Sequence, residues 1–163
     1  MNPLGLLQDT DVTQTRYVAR AWLIAVLPSL ALFGARLATG DASLRPPMAP
    51  DVAGFAAYSI VVAPLIETAL MIPFALALRA LPVASDWPRA GALAALAALA
   101  HGFGGSAWQV VNAFWPFFVY STAMFVWRRR SINDAFLVPA LVHMLHNATL
   151  FAVGMAGYLG SGP

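Results

Sequence analysis

Two stretches almost free of formal charge dominate this chain: residues 52–78, where Glu67 is the only ionised side chain, and residues 90–127, where there is none. About 20 apolar residues carry a helix across the hydrocarbon core of a bilayer, so the 27 residues of the first stretch can cross with room to tilt. The 38 residues of the second are too many for one crossing and about right for two, with a break at the glycine-rich GFGGS of residues 102–106. Backbone groups in lipid must be satisfied within the segment itself, which makes each crossing a helix. The composition agrees: 60% hydrophobic and 10% charged residues, with a mean hydropathy of +0.72, lie far outside the soluble globular range. The expected fold class is therefore all-α, a polytopic transmembrane helix bundle of about five spans.

The rest of the chain divides around these stretches. Residues 1–16 are polar to mixed and read as a cytoplasmic leader, with a small interfacial helix near Pro3–Leu7. A first apolar segment runs from about Tyr17 to Ala38. Its apolar heart, residues 21–33, is short enough that a cleaved signal peptide must be considered, but the long polar leader favours a retained span. Residues 40–50 form a turn-rich loop and residues 80–88 a polar connection. The fourth span is aromatic and ends at Arg128-Arg129-Arg130, and the fifth runs from about Ala135 to Tyr158. Residues 17–158 thus make a single membrane domain, followed by an uncharged tail, 159–163. With the three consecutive arginines on the cytoplasmic side, Arg16, Arg20, Arg79 and Arg89 join them and only Arg36 and Arg45 fall outside. That asymmetry satisfies the positive-inside rule and puts the N-terminus in the cytoplasm.

Composition also excludes. Without cysteine there is no disulfide framework, no thiolate nucleophile and no zinc–cysteine cluster. A formal net charge of +2, carried by scattered arginines, offers no footprint for nucleic acid. The expected surroundings are the lipid bilayer.

Against this background the polar residues inside the spans stand out. Glu67 is the only glutamate, and all three histidines, His101, His143 and His146, fall in apolar segments. A charged side chain near the bilayer centre costs several kcal/mol or more, so such residues normally face a protein interior and have a function. At 1.5 Å per residue, Glu67 lies roughly 16 Å from the cytoplasmic end of its helix, His101 roughly 18 Å, His143 roughly 12 Å and Asn147 roughly 18 Å. Three helices thus bring polar residues to one layer. His143 and Asn147, four apart, share a helix face, and His146 lies about 60° round from His143. Pro64 and Pro139 stand shortly before Glu67 and His143, each removing a helical hydrogen bond and freeing a carbonyl.

A glutamate and a histidine on facing helices could hold one water and take its proton as it attacks a carbonyl. A second histidine with an asparagine amide could donate to the oxyanion that develops. Glu67 with His101, facing His143 with Asn147, supplies both halves without a serine or cysteine nucleophile. Each residue also has a plainer reading: a packing histidine, an interhelical asparagine contact, or a proton-relay carboxylate. One Glu and three His are also acceptable zinc ligands, although the chain has no HExxH run.

The stretch Ala63-Pro64-Leu65-Ile66-Glu67, then Ala100-His101, then His143-Met144-Leu145-His146-Asn147 resembles the three motifs of the CPBP family, the CAAX-protease and bacteriocin-processing (Abi) membrane proteins. Their pattern reads roughly EExxxR, FxxxH and HxxxN/D. The resemblance covers about residues 55–155. It implies a glutamate-dependent intramembrane endopeptidase in which Glu67 and His101 activate water and His143 and Asn147 form the oxyanion site, with no cofactor and no metal. His146 has no counterpart in the pattern. Thr68 stands where the family has its second glutamate, Ile72 where it has arginine, and Ala97 where it has phenylalanine. The expected substrate is a membrane-associated peptide or protein tail, and the expected location a bacterial inner membrane. The alternative is a non-catalytic binding or bacteriocin-immunity protein using the same fold and cavity.

Overall fold

A computed structural model of the chain describes residues 3–38, 52–103 and 107–160. The loop at 40–50 with Arg45, residues 104–106 of the expected break, and residues 161–163 of the tail lie outside these. Among the described residues the protein is all-α, without a strand. Helix α1 spans Pro3–Leu6 and α2 Gln14–Ala38. Next, α3 (Val52–Ala57), a π-helical turn (Tyr58–Val62) and α4 (Ala63–Arg79) run on as one rod. They are followed by α5 (Asp86–Gly102), α6 (Ala107–Trp127) and α7 (Ile132–Gly160).

Four segments are long and apolar enough to cross a membrane: Gln14–Arg36, Val52–Arg79, Ala107–Trp127 and Ile132–Gly157. The fifth member of the bundle, α5, has 17 residues and is about 25 Å long, somewhat less than a hydrocarbon core. The polytopic helical bundle expected from the apolar runs is therefore the architecture found, and the second run does divide into two helices around residues 102–106.

Helix α6 is the centre. Every residue from Val119 to Trp127 is buried, so the other helices surround this half of it on all sides. The closest partner is α5, whose Ala90, Ala94 and Ala98 are each fully buried at four-residue spacing. Small side chains on one stripe let two backbones approach, which in a membrane replaces the hydrophobic driving force. Where α5 ends, a Cβ on Gly102 would collide with Val110 Cγ2, and the β-branched valine has little rotamer freedom with which to yield. Glycine is needed there for the helices to close up.

Helix α2 packs against α6 and α7 and contributes Tyr17, Val18, Ala21 and Ala25 to the core. Pro28 leaves the carbonyl of Ile24 without its usual helical donor, and Trp115 Nε1 of α6 donates to that carbonyl at 2.9 Å. The leader is more firmly held than its mixed sequence suggested. Leu7 is fully buried, and its carbonyl accepts a 2.8 Å hydrogen bond from the Tyr17 hydroxyl.

Arginines of α2, α5 and the turn between α6 and α7 gather at one end. Arg20 pairs with Asp9 at 3.2 Å; Arg129 and Arg89 pair with Asp86 at 2.7 and 2.9 Å. Arg89 also donates to the carbonyls of Leu78, Leu81 and Val83, tying down the connection from α4 to α5. Arg130 donates to the Thr10 carbonyl and lies over the Trp127 ring. At the same end Ser131 caps α7, its hydroxyl accepting from the Asp134 N–H at 2.9 Å.

Candidate functional site

Glu67, His101, His143 and Asn147, singled out on depth, converge in the folded chain. They line a cavity of about 320 Å³ together with His146 and residues of α6. The walls are the lower part of α4, the end of α5, one face of α6 and the middle of α7.

Glu67 Oε2 is the focus. His101 Nε2 and His143 Nε2 each lie 3.6 Å from it, on opposite helices. That separation is too long for a direct hydrogen bond, and a water could bridge it only by touching both groups from the side. The three groups differ in exposure: the His143 side chain is 5% exposed, Glu67 30% and His101 39%. His101 therefore stands at the mouth and His143 at the back.

The ring orientations follow from their backbone partners. His101 Nδ1 lies 2.9 Å from the Ala97 carbonyl one turn earlier. A carbonyl only accepts, so Nδ1 carries a hydrogen and neutral His101 turns the Nε2 lone pair towards Glu67. His143 is held by rings: Tyr120 stacks on it at 4.4 Å between centroids and Phe117 meets it edge-on at 5.4 Å. Phe117 also touches His101, at 4.7 Å, and so stands between the two histidines. Among the described residues no hydrogen-bond partner meets Glu67 Oε2, His143 Nδ1 or the Tyr120 hydroxyl.

Asn147 is placed through the backbone. Ala63 N–H donates to the Tyr58 carbonyl, five residues back. In that π register the next donor, for the Ser59 carbonyl, would be residue 64. Residue 64 is proline and has no N–H. Asn147 Nδ2 supplies the missing donor at 2.9 Å, so one of its two N–H groups is committed to holding α7 against the π turn. The other remains for the cavity. The expected oxyanion role thus falls to an amide that also has a structural task.

His146 belongs to the cavity lining although the motif comparison left it aside. Its Nε2 is 3.0 Å from Ser29 Oγ of α2. The Ser29 hydroxyl donates to the Ala25 carbonyl at 3.2 Å, so His146 Nε2 is the donor to Ser29 and its Nδ1 is the unprotonated nitrogen. Depth counting gave no hint that α2 would reach this layer.

The reading of the sequence missed the α6 wall. Gln109, Asn112, Pro116 and Tyr120 recur at helical spacing and line one side of the cavity. Two amides three residues apart in an otherwise apolar helix were the available signal. The positions that depart from the motifs are filled with packing: Thr68 is fully buried, and Ile72 packs against the core. Among the described residues no three His, Asp or Glu side chains are grouped so as to hold a metal ion. No family model, no curated protein and no solved structure matches the chain.

Proposed function

We propose that this cavity is the active site of a metal-independent glutamic-type intramembrane endopeptidase. The single observation that carries the reading is Glu67 Oε2 with a histidine Nε2 at 3.6 Å on either side, at roughly mid-depth in the bundle. A water within hydrogen-bond reach of Glu67 and His101 gives its proton to this pair as its oxygen adds to the carbonyl carbon of a scissile peptide. The oxyanion accepts from the His143 ring and from the uncommitted N–H of Asn147. The carbon–nitrogen bond then breaks, and the proton taken from the water goes to the leaving amine. Atoms and charge balance, and no cofactor takes part. The order of the motifs, similar to that of CPBP proteins, supports the same assignment.

The substrate that fits is a membrane-associated peptide or protein tail, since the cavity opens beside apolar helix faces carrying Ile66, Leu70 and Leu99, all exposed. The arginine-rich end with the N-terminus faces the cytoplasm, in a bacterial inner membrane.

The test is cleavage of a peptide library by the purified protein in detergent, with Glu67→Gln, His101→Ala and His143→Ala alongside. Cutting by wild type that all three variants lose, insensitive to chelators, is the expected result. Undiminished cutting by Glu67→Gln, or metal bound in stoichiometric amount and required for cutting, would sink the proposal. A second reading, a non-catalytic binding or immunity protein, draws support from the commitment of Asn147 to the Ser59 carbonyl. It gains if the wild type cuts nothing yet retains a peptide that the same variants release.

A further inference from the structure

Nothing in the chemistry proposed above uses the α6 wall of the cavity. Gln109, Asn112, Pro116 and Tyr120 follow one stripe of its lining, and they are covered progressively. Gln109 is exposed, Asn112 half-buried, and Pro116 and Tyr120 buried. The stripe thus leads from the mouth inwards. By rise per residue Pro116 lies roughly 16 Å from the Trp127 end of α6, the depth found for Glu67, and Asn112 stands about 6 Å, one turn, nearer the start of the helix.

Asn112 offers two kinds of group on this stripe. Pro116 has no N–H, so the Asn112 carbonyl one turn back lacks its helical donor. Pro28 and Pro64 also free carbonyls, and the fold fills both, with Trp115 at Ile24 and Asn147 at Ser59. Pro73 and Pro139 free the carbonyls of Ala69 and Ala135, neither of which lines the cavity. Among the described residues no side chain donates to the Asn112 carbonyl, and the Asn112 amide makes no hydrogen bond. Unpartnered polar groups are costly in an apolar span. An asparagine serving only to join helices would show a partner on a neighbouring helix, as Asn147 does. An extended peptide presents N–H and C=O groups along its edge, and main-chain hydrogen bonds to that edge give affinity whatever the side chains. The Asn112 carbonyl can accept one such N–H, and the side-chain amide can both donate and accept.

We infer that Asn112 is the substrate-backbone clamp of the cavity, holding a peptide in extended form along α6, while Pro116 keeps the Asn112 carbonyl vacant for a peptide N–H. The inference rests on the reading of the cavity as a peptide site. At about 3.3 Å per extended residue, a contact one helical turn from the Glu67 layer falls about two residues from the bond that is cut. Two variants of the full chain separate the groups: Asn112→Ala removes the amide, and Pro116→Ala restores an N–H that occupies the carbonyl from within the helix. With the library peptide that wild type cuts best, each should raise KM about fivefold, the size of one net hydrogen bond, and leave kcat within about twofold. The same peptide with one amide N–H replaced by an ester oxygen, about two residues from the cut bond, should lose about fivefold with wild type and nothing further with Pro116→Ala. Unchanged KM in both variants, a fall in kcat alone, or equal ester losses in wild type and Pro116→Ala would overturn the clamp and leave the peptidase standing. If wild type retains a peptide without cutting it, Kd takes the place of KM with the same expectations. If it neither cuts nor retains any peptide, the peptide site falls and the clamp with it. Should Pro116→Ala fail to fold, KM for Asn112→Ala and the position of the ester loss still decide.

Discussion

At the arginine-rich end, Asp86 takes two guanidinium groups, Asp9 takes a third, and the Tyr17 hydroxyl reaches the Leu7 carbonyl. Half a membrane deeper, Glu67 Oε2, His143 Nδ1, His146 Nδ1 and the Tyr120 hydroxyl are buried with no hydrogen-bond partner among the described residues. The two regions are built from different residue types, arginine and aspartate at the end and glutamate, histidine and asparagine in the deeper layer. The arginine-rich end resembles a structural fastening, in which Asp86 and Asp9 neutralise Arg129, Arg89 and Arg20 close to where headgroups would lie. The unmatched layer keeps costly polar atoms inside the bundle, and native proteins retain such atoms where something other than stability requires them. The difference teaches that function in this bundle is to be sought where hydrogen bonding is incomplete.

The strongest way to break the comparison is Glu67→Gln. It preserves shape and removes the proton acceptor, so cleavage should fall by about 10²–10⁴-fold while thermal stability is kept or slightly raised. A large drop in Tm instead would make Glu67 a structural group like those at the arginine-rich end. Next in size is Gly102→Ala, beside His101. The added Cβ meets Val110 and should destabilise by about 1–3 kcal/mol, read from thermal unfolding in detergent, with activity falling as well. Unchanged stability would mean that α5 and α6 can part without cost.

A smaller effect tests the Asn147 latch. Asn147→Ala should cost about 0.6–1.7 kcal/mol, the range for interhelical hydrogen bonds in membranes. In a Pro64→Ala background the restored N–H can serve the Ser59 carbonyl, so the same change should then cost almost nothing. Equal costs in both backgrounds would show that the amide is not standing in for the missing donor.

The smallest effect belongs to the matched end. Asp86 lies at the interfacial end of α5, ahead of the apolar stretch that begins at Ala90. Burial pushes its carboxyl up, but hydrogen bonds and charge from Arg129 and Arg89 outweigh this and hold it below its ordinary value of 3.8. A lowered folded-state value means the contribution is complete above about pH 4 and is lost as pH falls through the folded value. With Arg129 57% exposed, it should amount to about 1 kcal/mol or less. Tm measured from pH 7 downwards should stay level to about pH 4 and then fall more steeply for wild type than for Asp86→Asn. Parallel curves would remove Asp86 from the fastening.

Much of this was legible in the chain. The runs at 52–78 and 90–127 dictated helices because lipid leaves the backbone no other choice. Rise per residue then put Glu67, His101, His143 and Asn147 at one depth before any fold was known. The small residues of 90–102 permit a close helix contact, but only the fold shows that α6 is the partner and that Ala90, Ala94 and Ala98 face it. The small helix near Pro3–Leu7 is found as α1, but its anchoring through Leu7 and the Tyr17 hydroxyl was not legible, because one buried leucine and one hydroxyl leave no periodic trace.

What the sequence determined by itself was distance along the membrane normal: which segments cross, how deep each polar group lies, and that nine arginines flank the spans. Rotation about each helix axis and the order of neighbours were decided only by tertiary packing. That is why Tyr120 and Phe117 frame His143, why Ser29 of α2 meets His146, and why Asn147 answers a carbonyl that Pro64 had left free. A proline announces a vacant acceptor in one dimension, but the donor that fills it comes from whichever helix packing brings alongside. Glu67 was marked by its own rarity; its two histidines at 3.6 Å were brought to it by the fold.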